Sequence, residues 1–269
     1  SSVLPDQSFL TGVNSAYNFI DLDGSDEYIS VANESAFDYD IDDAFSCSLW
    51  LNNDATTGDL TFIGKGTSSV STSWLVRQDG SSCRFNFSKS GSQLGNVTAS
   101  GVFSSSGSWI HIVVTYNGDS NLNGAKIYVN GSLSATGSDT AFDGSLLNND
   151  ALAIGSLSGG GVPYNGKIGQ SAVWNKALSA TEVGAIYSLG RHGNLLDSYS
   201  EALKGYWAMS SLDASTGLSD VGNGTIYDRS GQSNHGTATN TEAADLASSP
   251  NAEPNGYAKG DTNRSTTIP

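Results

Sequence analysis

Residues 109–116 read Trp-Ile-His-Ile-Val-Val-Thr-Tyr, eight positions with no Gly, Pro, Asn or Asp among them. In an extended chain successive side chains point to opposite faces, so Ile110, Ile112 and Val114 share one side while Trp109, His111, Val113 and Thr115 share the other. Both sides carry apolar bulk. A strand with one wet face alternates apolar with polar residues; one that is apolar on both faces belongs in the middle of a layered structure. Asn117-Gly118 follows directly, and Asn130-Gly131 closes the next apolar run, the strongest short-range turn chemistry a sequence can carry.

Working outward, similar runs recur from about residue 17 to residue 175: YISVA (28–32), FSCSLWL (45–51), LTFIGKG (60–66), SWLVRQ (73–78), CRFNFS (83–88), AKIYVNG (125–131), LAIGS (152–156) and KIGQSAVW (167–174). Clusters of Gly, Asn, Asp and Ser separate them. That spacing predicts an all-β, antiparallel two-sheet sandwich. One helix interrupts it near 180–189, where Ser179 and Glu182 form a capping box, Val183, Ile186 and Tyr187 make a helical stripe, and Gly190 supplies the stop.

Beyond about 195 the chain changes character. GYWAMSS (205–211) and GTIYDRSG (224–231) still read as strands, but large apolar residues nearly vanish from 237 onward. The expected organisation is a sandwich over 1–194, a segment over 195–239 completing the same sandwich, and an extended arm or linker over 240–269. A second domain beginning after the helix, or a segment packing on a neighbouring subunit, are the alternatives.

The 269 residues include 12 Lys and Arg against 27 Asp and Glu, a net charge of −15, and only 14% are charged against an average near 25%. Such a chain repels phosphate backbones and anionic bilayers, which excludes nucleic acid as a partner. No run approaches the ~18 apolar residues of a spanning helix, so no membrane insertion is expected. Cys47 and Cys83 fall in step with the apolar positions of their runs and read as buried free thiols. Ser1 fits either removal of an initiator Met or cleavage of a leader.

DLDGSDEYISV (21–31), FSCSLWLN (45–52), FIGKG (62–66), GSWIHIVVTYNGD (107–119), AKIYVNGSL (125–133) and YNGKIGQSAVWNKALSATEVGAIY (164–187) together resemble, in order and spacing, the laminin G-like jelly-roll domains of the concanavalin A-like lectin/glucanase superfamily. Such domains occur in phage virion proteins and in bacterial extracellular proteins. GYWAMSS followed by GTIYDRSGQSNHGT (224–237) resembles the segment that usually opens such a domain, here placed after the closing helix. The resemblance implies calcium as the cofactor, with Asp21, Asp23, Asp26 and Glu27 as candidate ligands in the first turn. Where the family commonly reads Ile-Asp-Glu-Val this chain reads Ile168-Gly169-Gln170-Ser171, which removes a carboxylate often used there and makes the absence of any cofactor the leading expectation.

Catalytic chemistry finds little support. The Glu-x-Asp-x-x-Glu strand signature of the superfamily's glucanases is missing, and Asp38, Asp40 and Asp42, though two apart, precede a strand where acids commonly form a solvated rim. The three histidines, His111, His192 and His235, form no metal-binding pair. The chain is therefore expected to be no enzyme. Candidate ligand-binding residues are Trp74 with Arg77, and Tyr164, Asn165 and Trp174 near the glycine cluster 159–161, because sugars are held by aromatic faces and planar polar groups. For each tryptophan core packing is the competing role. The leading expectation is a virion structural protein displaying a lectin-like domain at the particle surface. Its expected partners are other virion proteins, further copies of itself and host glycans. The alternative is an extracellular bacterial carbohydrate-binding or adhesion module.

Overall fold

A computed structural model describes residues 19–68, 73–209 and 224–241. Fifteen strands in these segments form two antiparallel sheets. The first contains β1 (Ile20–Asp23), β3 (Phe45–Asn53), β8 (Ile110–Tyr116), β9 (Ala125–Val129), β10 (Ser132–Thr136), β12 (Asn165–Trp174) and β13 (Leu203–Trp207). Its order is β1-β12-β3-β8-β9-β10, with β13 also on β12. The second contains β2 (Tyr28–Val31), β4 (Asp59–Lys65), β5 (Trp74–Asp79), β6 (Ser82–Lys89), β7 (Ser92–Ala99), β11 (Leu152–Ile154), β14 (Thr225–Ile226) and β15 (Gly236–Thr239), in the order β14-β15-β2-β11-β4-β5-β6-β7. This is the concanavalin A-like sandwich, mostly β with one short helix. Among the described residues no helix is long and apolar enough to cross a membrane.

The run at 109–116 lies at the heart of the first sheet, paired with β3 on one side and β9 on the other. Its two apolar faces have two destinations. Ile112, Val114 and Tyr116 join the core between the sheets with Phe45, Leu49, Phe62, Trp74, Phe85 and Phe87. Val113 points the other way, into a second cluster with Tyr128, Ala172, Trp174, Leu178, Val183, Ile186, Leu195, Leu203 and Tyr206. That second cluster lies beneath α1 (Ala180–Leu189), whose N-terminus carries the full capping box between Ser179 and Glu182.

Asn130 and Gly131 both take positive φ, 49° and 78°, and link Val129 to Ser132 in the two-residue turn their sequence favours. Gly131 has a further reason to lack a side chain: a Cβ there would lie 2.9 Å from the Tyr187 ring of α1. Cys47 and Cys83 are buried in the inter-sheet core and unpaired. Burial raises both thiols, Cys83 to about 12, so neither is a nucleophile at neutral pH.

β7 and β10, like β1 and β15, lie outside the strand runs legible in the sequence. β7 and β10 are edge strands, and SQLGNVTA and SLSAT carry the polar, non-alternating composition that edges tolerate.

The chain after the helix contributes to both sheets. β13 pairs with Ser171–Trp174 of β12, and β15 pairs with β2. The buried Asp228 carboxylate ties the two parts together by accepting from the backbone amides of Tyr206, Ser230 and Asn234 at 2.8–2.9 Å. Trp207, fully buried, donates its indole N–H to Asn234 O at 3.0 Å. Of the arm expected over 240–269, residues 242–269 lie outside the described residues.

Candidate functional site

The residues singled out for ligand binding do not form one site. Trp74 and Arg77 are three apart on β5 and so face opposite ways. Trp74 is fully buried between the sheets and donates to Phe37 O, while Arg77 lies on the outer face, paired with Asp59 and 3.5 Å from Asp79. Tyr164 is fully buried, donates to Asn53 Oδ1 at 2.7 Å and packs edge-on against Phe62. Trp174 is fully buried beneath α1, its indole N–H on Tyr199 O at 2.8 Å. Tyr164 immediately precedes β12 and Trp174 ends it, about 30 Å apart at ~3.3 Å per residue. Asn165 is half-buried next to Tyr164, opposite Asp23. The three aromatic side chains therefore offer no face for a sugar, because each is enclosed by core packing.

The four acids proposed for calcium do not gather either. Asp21 pairs with Lys167 at 3.1 Å, Asp23 accepts from Ser25 N and Glu27 from Asp23 N at 2.7 Å each, and Asp26 accepts from Asn240 Nδ2 at 3.1 Å. Among the described residues no group of three or more His, Cys, Asp or Glu converges as a metal site. Gln170, at the departure from the family pattern, is buried and donates to Gly193 O and to Tyr206 Oη at 2.5 and 2.9 Å. The side chain there tethers the loop after α1.

A cleft of about 170 Å³ does open at one rim of the sandwich, lined by Thr67, Ser73, Ser88, Lys89, Asn148 and Asp150, with Ser90, Leu146 and Leu147 completing it. One wall is the end of β5 and β6: Ser73 N donates to Lys65 O and Ser88 N to Ser73 O, at 3.0 and 3.1 Å. Ser73 is buried, and its hydroxyl has no hydrogen-bond partner among the described residues. A buried polar atom left without a partner costs free energy, and a ligand hydroxyl would satisfy this one.

The other wall is the loop 143–150. Asp40 holds it by accepting from Leu146 N at 2.8 Å and from Ser145 Oγ at 2.9 Å. Burial opposes the charge of Asp40, but the amides of Leu146 and Ile41 and the Ser145 hydroxyl outweigh it and keep the carboxyl below its usual range. Leu146 is thereby buried in the core while Leu147 stays 53% exposed beside the polar lining. Lys89 reaches across to Asp143 at 2.7 Å.

None of these lining residues stood out in the sequence. They come from four separate segments, and Ser, Thr and Asn are too common in this chain's turns for any local pattern to mark them.

A two-layered antiparallel sandwich of this kind is a lectin-like fold. The Laminin_G_3 profile, of the concanavalin A-like lectin/glucanases superfamily, matches residues 23–184, and the chain belongs to that family. Among solved structures it resembles a presumed carbohydrate-binding protein from Bacteroides ovatus at 21% identity and a TM-score of 0.54, covering 83% of this chain and 58% of the other. It also resembles the CBM40 module of the Ruminococcus gnavus IT-sialidase, solved bound to α2,3-sialyllactose, at 13% identity and a TM-score of 0.51, covering 65% of this chain and all of the module. At these identities the likeness is one of fold. No curated protein matches the chain.

Proposed function

We propose that the chain is a non-catalytic carbohydrate-binding module of an exported bacterial protein, and that the rim cleft receives the end of a glycan. The observation that carries this reading is the cleft's lining: several hydroxyls, one of them buried and without a partner among the described residues, with an amide, a carboxylate, an ammonium and an exposed leucine. Polar groups of that kind match the hydroxyls of a sugar, and Leu147 matches its apolar face. At about 170 Å³ the cleft lies below the ~300 Å³ of drug-sized sites, so it suits a single terminal ring. The solved relatives support the reading at the level of fold, one being presumed to bind carbohydrate and another solved with sialyllactose.

Absence of catalysis is supported by the period-two acids. Asp38 is paired with Lys65 and Asp40 holds the 143–150 loop, so neither is poised as a general acid or nucleophile.

A glycan array read with the wild-type chain tests the proposal. Binding to a defined set of terminal sugars is expected. Leu147→Asp should abolish it and Ser73→Ala weaken it about three- to tenfold, the equivalent of one hydrogen bond. A wild-type chain that binds no glycan sinks the module reading, and unchanged binding in both variants sinks the cleft as its site. Display on a viral particle is the competing placement; finding the chain in stoichiometric amount in purified virions would overturn the exported-module reading.

A further inference from the structure

Oxygen donors do converge on a cation in this molecule, away from the first turn, and the cation is Lys65. Its Nζ lies 3.0 Å from Glu34 O, 3.3 Å from Glu34 Oε2 and 3.3 Å from Asn148 O, and pairs with the Asp38 carboxylate. The lysine side chain is fully buried, whereas those of Glu34 and Asp38 remain 33% and 25% exposed. Two carboxylates and two backbone carbonyls form a hard-oxygen set of the kind that holds calcium in loops, here closed at hydrogen-bond distance around an ammonium.

The position matters as much as the ligand set. Lys65 ends β4, its carbonyl accepts from Ser73 N in one wall of the cleft, and its ammonium holds the Asn148 carbonyl in the other. Through Glu34 and Asp38 it also fastens the turn after β2. Two loops from distant parts of the chain thus meet on one buried positive charge, and the backbone of the same residue holds Ser73.

We propose that Lys65 is a built-in cation doing the ordering that a bound divalent ion would do in such a rim, so that the cleft keeps its shape and captures its ligand without calcium. The second half of this inference rests on the cleft being the glycan site; the first half does not.

The test measures Tm of the full chain, and array binding, in EDTA and in CaCl2 on the order of 5 mM, above the ~10⁻³ M of the weakest extracellular calcium sites. The wild type should give the same Tm and the same binding in both. Lys65→Ala, which leaves two carboxylates uncompensated around an open space, should melt roughly 10 °C lower in EDTA and recover several degrees in CaCl2. Lys65→Met, which fills the space without the charge, should melt lower and not recover. Should Lys65→Ala be unfolded in EDTA, refolding on addition of CaCl2 supports the proposal and failure to refold overturns it. A wild type destabilised by EDTA or stabilised by CaCl2 overturns it too, as does a Lys65→Ala variant that responds to CaCl2 no more than the wild type. These melting experiments need no glycan, so a wild type that binds no sugar removes only the glycan reading.

Discussion

The cluster beneath α1 and the cleft at the rim are both pockets of this sandwich closed by a segment outside its sheets, yet they are built from opposite materials. Under α1, Trp174, Tyr128, Tyr206 and Val113 fill the space with rings and branched chains, and Tyr187 stacks on both Trp50 and His111 at 5.7 and 5.8 Å. At the rim, serines, a threonine, an asparagine and a lysine leave a cavity open. The difference teaches where recognition chemistry remains available. Trp74, Trp174 and Trp207 are fully buried and Trp50 nearly so, while the half-buried Trp109 is covered by the Arg191 guanidinium 4.2 Å from its ring; the cleft itself is lined by hydroxyls and amides.

Trp174→Ala would break this contrast most sharply. Removing a fully buried tryptophan from the cluster beneath α1 is expected to cost about 3–5 kcal/mol, seen as a lower denaturant midpoint. A variant that keeps its stability but loses glycan binding would mean that the aromatic region, and not the cleft, holds the ligand.

His111 provides the next largest effect and a pH dependence. Burial pushes its imidazole down to about 3, and Ser48 Oγ lies 2.8 Å from Nε2. With the unfolded value near ~6.5, both states are neutral above that pH and the stability is fully present there. Between about 6.5 and 3 only the unfolded chain takes up the proton, so stability should fall as pH falls, by about 1.4 kcal/mol per pH unit from this group. Denaturation curves across that range should show the slope, and His111→Gln should reduce it, leaving the part due to His192, whose imidazole burial and the neighbouring Arg191 push down to about 4. An unchanged slope in the variant would place the titration elsewhere.

Asp40→Ala sharpens the comparison from the other side. The loop 143–150 should loosen at a cost of about 1 kcal/mol, since its anchoring hydrogen bonds are partly solvated. Hydrogen exchange at the Leu146 and Leu147 amides should accelerate while amides in β8 stay protected. Equal acceleration in β8 would show that the rim and the sheets open as one unit.

Much of the fold was legible in the sequence because its signals are local. Period-two runs predicted the central strands, Ser179 with Glu182 predicted the helix start, and Asn130-Gly131 predicted a turn that the structure forms. Edge strands β7 and β10 escaped because a strand with a wet margin has no need to alternate. The site was far less legible. Aromatic residues were natural candidates for sugar contact, but the same rings are what a sandwich uses to fill its core. For Trp74 and Arg77 the sequence did hold a corrective: an odd spacing along a strand places two side chains on opposite faces. For the cleft it held none, since Ser73, Ser88 and Asn148 meet only through tertiary packing.

The edge of β12 carries one last consequence. β1 pairs along Asn165–Ile168 and β13 along Ser171–Trp174, end to end on the same side of one strand. Two stretches far apart in the chain thus share a single docking rail, each meeting its own half of the strand's outward-facing peptide groups. Loosening either one exposes half of that rail. A lesion near Leu22 should therefore bare the Asn165–Ile168 half while Ser171–Trp174 stays covered by β13, and β3 grips the strand along its other side throughout.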